Sequence, residues 1–108
     1  MTKIELFDKK LQNTAAIFKV LGHPARLAIL QYVGEAKLCI SGDISEELPL
    51  SRTTVNQHLK ELKELKLIQG EIEGKKVNYC LNPEKLKQVG DILERFINDL
   101  DCCKSDCC

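Results

Sequence analysis

The chain has 108 residues, 44% of them hydrophobic and 30% charged, with 16 basic residues balanced by 16 acidic ones. That length and mixture describe one soluble domain with a modest core and exclude a disordered chain. No apolar run approaches a membrane span, and the opening "MTKIELFDKKLQ" lacks the apolar centre of a signal peptide, so a cytoplasmic protein with no membrane partner is expected.

The first predicted element is a helix carrying Ile4, Phe7, Leu11, Phe18 and Leu21 as a stripe, ended by Gly22. Pro24 suits the first turn of a second helix, because its missing N–H has no intrahelical acceptor there. That helix carries Leu27, Ile29, Leu30 and Val33 and stops near Gly34. After "KLCISG" a short helix is expected from Asp43 to Leu48, then a turn at "LPLS". Ser51 is a good N-cap for a long amphipathic helix whose inner side is Val55, Leu59, Leu62 and Leu65, broken by Gly70. The period then changes. Val77, Tyr79 and Leu81 alternate, and "EGKK" supplies the turn of a two-stranded hairpin. Pro83 opens a last helix with the stripe Leu86, Val89, Leu93, Phe96 and Leu100.

A short helix, a tight turn and a polar-faced helix followed at once by a hairpin make a winged helix-turn-helix, mainly α with a β-hairpin wing. With Val55, Leu59 and Leu62 inward, the outward residues of the polar-faced helix are Arg52, Thr53, Thr54, Asn56, Gln57 and Lys60. Asn and Gln form paired hydrogen bonds with adenine, Arg pairs with guanine, and Thr reaches a base edge or a thymine methyl. Lys60 and the wing residues Lys75 and Lys76 suit phosphate contacts, which position a protein without reading sequence. No acid lies between Arg52 and Lys60, and residues 51–81 carry a net charge of +2. This segregation favours double-stranded DNA over a merely solvated face. His58 has two open readings, a DNA contact or packing at the domain edge, whereas His23 beside Pro24 reads as a helix-start residue.

"VLGHPARLAILQYV" followed by "LSRTTVNQHLKELKELKLIQGEIEGKKVNYCLN" resembles the ArsR/SmtB family of winged-helix metal-sensing repressors. The resemblance spans nearly the whole chain. It implies a homodimer paired through the first and last helices, bound to DNA while the inducer is absent. The apolar stripes of the two terminal helices agree with such pairing. Two recognition helices about one DNA turn apart then imply a palindromic operator. On this reading residues 1–100 are the DNA-binding and dimerisation domain and residues 101–108 a cysteine-rich tail.

Six cysteines in a reducing compartment argue for metal or redox chemistry over a disulfide framework. The family's zinc-type site needs Asp and His on the last helix, yet no His lies between Pro83 and Leu100. Its arsenic-type site needs Cys-x-Cys before the turn. In "LCISGD" Cys39 matches the first thiol and Ser41 replaces the second, so Cys39 is expected to be a small buried apolar residue. Cys80, on the strand face opposite Val77, Tyr79 and Leu81, is given no role.

There remain Cys102, Cys103, Cys107 and Cys108 in the closing "DCCKSDCC". Soft thiolates select soft metals and metalloids; trivalent arsenic or antimony takes three sulfurs, zinc or cadmium four. Their position is similar to that of the C-terminal cysteines of arsenic-sensing family members, which implies a site of Cys102, Cys103 and one of Cys107 and Cys108. The expected function is a repressor released by trivalent arsenic or antimony, with no constitutive cofactor. Its alternatives are a thiol-oxidation-sensing repressor, a cadmium, lead or zinc sensor, and a thiol metal buffer. No catalytic arrangement of Ser, His, Asp or Cys falls on plausible elements, so no enzyme is expected.

Overall fold

The computed structural model describes residues 4–36, 39–42, 44–73 and 76–100. The helices are α1 (Lys9–Leu21), α2 (Pro24–Glu35), α3 (Arg52–Glu64) and α4 (Pro83–Asp99). The strands are β1 (Cys39–Ser41), β2 (Ile68–Glu73) and β3 (Lys76–Leu81), joined antiparallel in the order β1-β3-β2. The winged helix-turn-helix expected from the sequence is what forms, with differences of detail that have local causes.

The first predicted helix is split. A 3-10 turn, Ile4–Leu6, precedes α1, which starts only after Asp8. The Gln12 side-chain amide donates to the Phe7 carbonyl at 2.6 Å and takes up an acceptor at the break. The expected short helix is reduced to a 3-10 turn at Ser45–Glu47. Strand β1 had not been expected. Its three residues pair with β3 as Cys39 with Cys80, Ile40 with Tyr79 and Ser41 with Asn78, so the wing is a three-stranded sheet.

Helix α3 starts where Ser51 caps it, accepting from the Thr54 amide at 3.2 Å. It ends at Glu64 with Leu65 as its C-cap, ahead of the expected stop at Gly70. Lys66 adopts a left-handed φ of 66°, and the Leu67 amide donates back to the Leu62 carbonyl at 3.1 Å. These bonds close the helix as a terminal glycine would. Gly70 lies instead inside β2, opposite Tyr79.

The core sits between α1–α3 and the inner face of the sheet. Ile29, Val33, Leu59, Leu62, Leu67 and Tyr79 are all fully buried within it. Each such aliphatic side chain contributes roughly 1.5–3 kcal/mol. Helix α4 adds Val89 to the core, and its Phe96 meets Phe18 of α1 edge-to-face, 5.8 Å between ring centres. Beyond that contact Ile97 and Leu100 stay 55% and 63% exposed, and Phe7 just ahead of α1 and Leu11 and Phe18 on it are exposed. The terminal helices therefore present uncovered apolar surface of the kind that marks an interaction face. Among the described residues no helix is long and apolar enough to cross a membrane.

Candidate DNA interface and thiol sites

Packing of Val55, Leu59 and Leu62 turns the opposite side of α3 outward. Arg52, Thr53, Thr54, Gln57 and Lys60 are exposed there, and Asn56 is half-buried. Thr54 is partly engaged, since the Ser51 hydroxyl donates to its Oγ1 at 3.0 Å. Lys76 opens β3, while Lys75 and the side chain of Lys76 lie outside what is described.

His58 does not belong to this face. It is 8% exposed and takes the packing role, not the DNA contact. Its position three residues after Val55 and four before Leu62 puts it on the buried stripe. Arg26 Nε donates to His58 Nδ1 at 3.1 Å, so the ring's proton is assigned to Nε2. His23 packs against it with the rings tilted by 54° and their centres 4.4 Å apart, while His23 Nδ1 accepts from the Ala25 amide and caps α2.

Arg26 also donates through Nη1 to the Val20 carbonyl at 3.1 Å and forms an ion pair with Glu61 through Nη2. One guanidinium thus joins the end of α1, its own helix and two residues of α3. The ion pair has a second effect. Glu61 is the first acid of α3, and its charge is compensated from the protein side, so the N-terminal half of the helix keeps a positive outer face.

Burial lowers the His58 pKa below its ordinary 6.5, helped by the neighbouring His23 and Arg26 charges. Folding therefore favours the neutral ring. Its contribution to stability is complete above about pH 6.5 and is lost as pH falls from there toward the depressed folded value. The melting temperature should drop on going from about pH 7 to 5. A His58→Gln variant, whose amide oxygen can still accept from Arg26, should lose that part of the dependence. An unchanged pH profile in the variant would count against the buried neutral ring.

The thiols separate into two groups. Cys39 is exposed and not buried as expected, and it forms a disulfide with Cys80 across the β1–β3 pair. Cys80 does face away from Val77, Tyr79 and Leu81, but it has a partner where none was assigned. The other four cysteines, Cys102, Cys103, Cys107 and Cys108, lie outside the described residues. Among the described residues no group of three His, Cys, Asp or Glu side chains could hold a metal ion.

Residues 21–71, from the end of α1 into β2, match the family model described as a helix-turn-helix domain. The arsenical resistance operon repressor of Staphylococcus xylosus is 34% identical over 83% of this chain and 85% of its own length. The CadC homolog of Staphylococcus aureus, a cadmium resistance transcriptional regulatory protein, is 32% identical over 81% of this chain and 72% of its own. An ArsR-like transcriptional regulator from Rhodococcus sp. RHA1 has the same fold, with a TM-score of 0.62 and 23% identity over 86% of this chain and 87% of that one. These are regulators, not enzymes. With its capped recognition helix, its wing and this likeness to the two resistance regulators, the chain belongs to the ArsR family of winged helix-turn-helix transcriptional regulators.

Proposed function

We propose that the protein is an operator-binding repressor, acting as a homodimer, that leaves its DNA when trivalent arsenic or antimony binds the C-terminal cysteines. The observation that carries the DNA half is the outer face of α3. Arg52, Thr53, Gln57 and Lys60 are exposed together, with the first acid drawn off by Arg26. Dimerisation is supported by the uncovered apolar surface on α1 and α4.

The inducer half rests on donor chemistry. Among the described residues there is no three-donor cluster, whereas the tail offers four sulfurs within seven residues directly after α4. Three of them, Cys102, Cys103 and Cys107 or Cys108, suit a pyramidal arsenic or antimony site. All four would suit cadmium, the reading favoured by the staphylococcal cadmium regulator. In sequence the tail directly follows Ile97 and Leu100, part of the apolar surface through which protomers meet in the proposed dimer. Binding there acts through its preference for one arrangement of the two recognition helices, and a coupling of roughly 5- to 150-fold in operator affinity is the usual range.

The test is fluorescence anisotropy of the protein on the DNA upstream of its own gene. Arsenite should release the labelled DNA, and the variant with all four tail cysteines changed to serine should bind equally well but no longer let go. Release that persists in that variant would overturn the assignment of the tail. Absence of any DNA complex at low salt would overturn the repressor reading itself.

A further inference from the structure

We propose that Cys39 and Cys80 are a reversible dithiol–disulfide site that low-molecular-weight disulfides oxidise, and that its closure fastens the strand leading into the helix-turn-helix to the central strand of the wing. The pair occupies directly opposed positions on adjacent strands, with Cα atoms 4.0 Å apart and the sulfurs in bonding contact. It lies on the outer face of the sheet, away from the core, in a shallow depression that Gln69 and Asn78 also line. Cys39 is exposed and Cys80 half-buried, so a small reagent reaches Cys39 first.

Two sulfurs with no third donor among the described residues make a poor site for a three- or four-coordinate ion and a complete one for exchange. The Cys39 thiolate attacks one sulfur of the small disulfide, forms a mixed disulfide and releases one thiol. The Cys80 thiolate then attacks Sγ of Cys39 and expels the second. The protein loses two electrons and two protons, and the small disulfide is reduced to two thiols.

The location gives the bond its consequence. Strand β1 is otherwise held to β3 by a short ladder, by the Ser41 hydroxyl donating to Asn78 Oδ1 at 2.7 Å and by the Gly42 amide donating to the Val77 carbonyl at 2.6 Å. Just beyond Gly42 the chain enters Ile44 and the turn before α3, while β3 pairs along its other edge with β2 to form the wing hairpin. A covalent link between residues 41 apart in sequence therefore fixes the reading helix's approach segment against the wing. The effect on DNA rests on the repressor reading, whereas the exchange chemistry does not.

The experiment uses the full chain with Cys102, Cys103, Cys107 and Cys108 changed to serine, which leaves Cys39 and Cys80 as its thiols. The protein is equilibrated in glutathione buffers of rising oxidised fraction, trapped with N-ethylmaleimide and weighed intact. The expected species pass from two maleimide adducts to none, with no glutathione retained, and dithiothreitol restores both. Cys80→Ser in the same background should instead keep one glutathione on Cys39. Retention of glutathione on both cysteines of the parent, or two maleimide adducts at every ratio, would overturn the proposal. Closure should also slow amide exchange in residues 39–42 and change operator affinity by about fivefold or more. Equal affinities and equal exchange in the two states would overturn the fastening, whereas loss of DNA binding in both states with intact disulfide chemistry would instead refute the repressor reading.

Discussion

Replacing Gly70 by alanine should destabilise the protein by roughly 3 kcal/mol, combining overpacking with a disfavoured backbone conformation. Gly70 has a φ of +139°, which L side chains rarely adopt. A Cβ there would stand 2.2 Å from the Asn78 carbonyl oxygen and 2.7 Å from the Tyr79 Cα, both backbone atoms of the central strand. Neither can rotate away as a side-chain tip would. Relief requires β2 to part from β3, which uncovers Ile68 and Ile72. Thermal unfolding followed by circular dichroism should show a fall of about 15 °C, given the usual 4–8 °C per kcal/mol for a domain of this size. Gly90 in α4 is the control. A Cβ there meets nothing within 4 Å, so Gly90→Ala should leave stability unchanged or raise it by up to about 1 kcal/mol. A Gly70→Ala protein that melts within a few degrees of the parent would mean that β2 does not hold this conformation.

The second large effect concerns salt. On the repressor reading, Lys60, Lys75 and Lys76 each neutralise one DNA phosphate, and the proposed dimer doubles the set. Some six released counterions give a log–log slope of about −5 and a loss of roughly a thousandfold in operator affinity between ~50 and ~200 mM salt. Changing all three lysines to alanine should flatten the slope nearly to zero and weaken binding to every sequence alike. Changing Gln57 to alanine should keep the slope and relax discrimination between operator and random DNA by ~1–3 kcal/mol. A salt response near zero in the parent protein would remove the phosphate contacts from the proposal.

How far the fold could be read in advance depended on how local its causes are. Helix α3 was legible because Ser51, Val55, Leu59 and Leu62 state its start and its inner face within twelve residues. Helices α2 and α4 announced themselves through Pro24 and Pro83 at their first turns. Strand β1 was not legible. A three-residue stretch shows no period, and it is a strand only because β3, 37 residues further on, offers an edge to it. The end of α3 was misplaced because the left-handed residue that closes it is Lys66, not the glycine such a position usually holds. In the site, the exposed residues of α3 followed from periodicity alone. The inward position of His58 was contained in the same spacing, since it falls on the stripe of Val55 and Leu62, but its side-chain chemistry left a DNA contact and packing equally open. The Cys39–Cys80 pair left no local signal, as nothing near either cysteine names the other.

The guanidinium of Arg26 has a mechanical consequence for regulation. It is tied at once to the last turn of α1, to His58 and to Glu61, so α1, α2 and α3 form a braced truss in which none tilts alone. In the proposed repressor dimer, a signal arriving at the far end of α4 would find little slack inside one subunit. It would act by swivelling whole subunits against each other, altering the span between their DNA-reading helices.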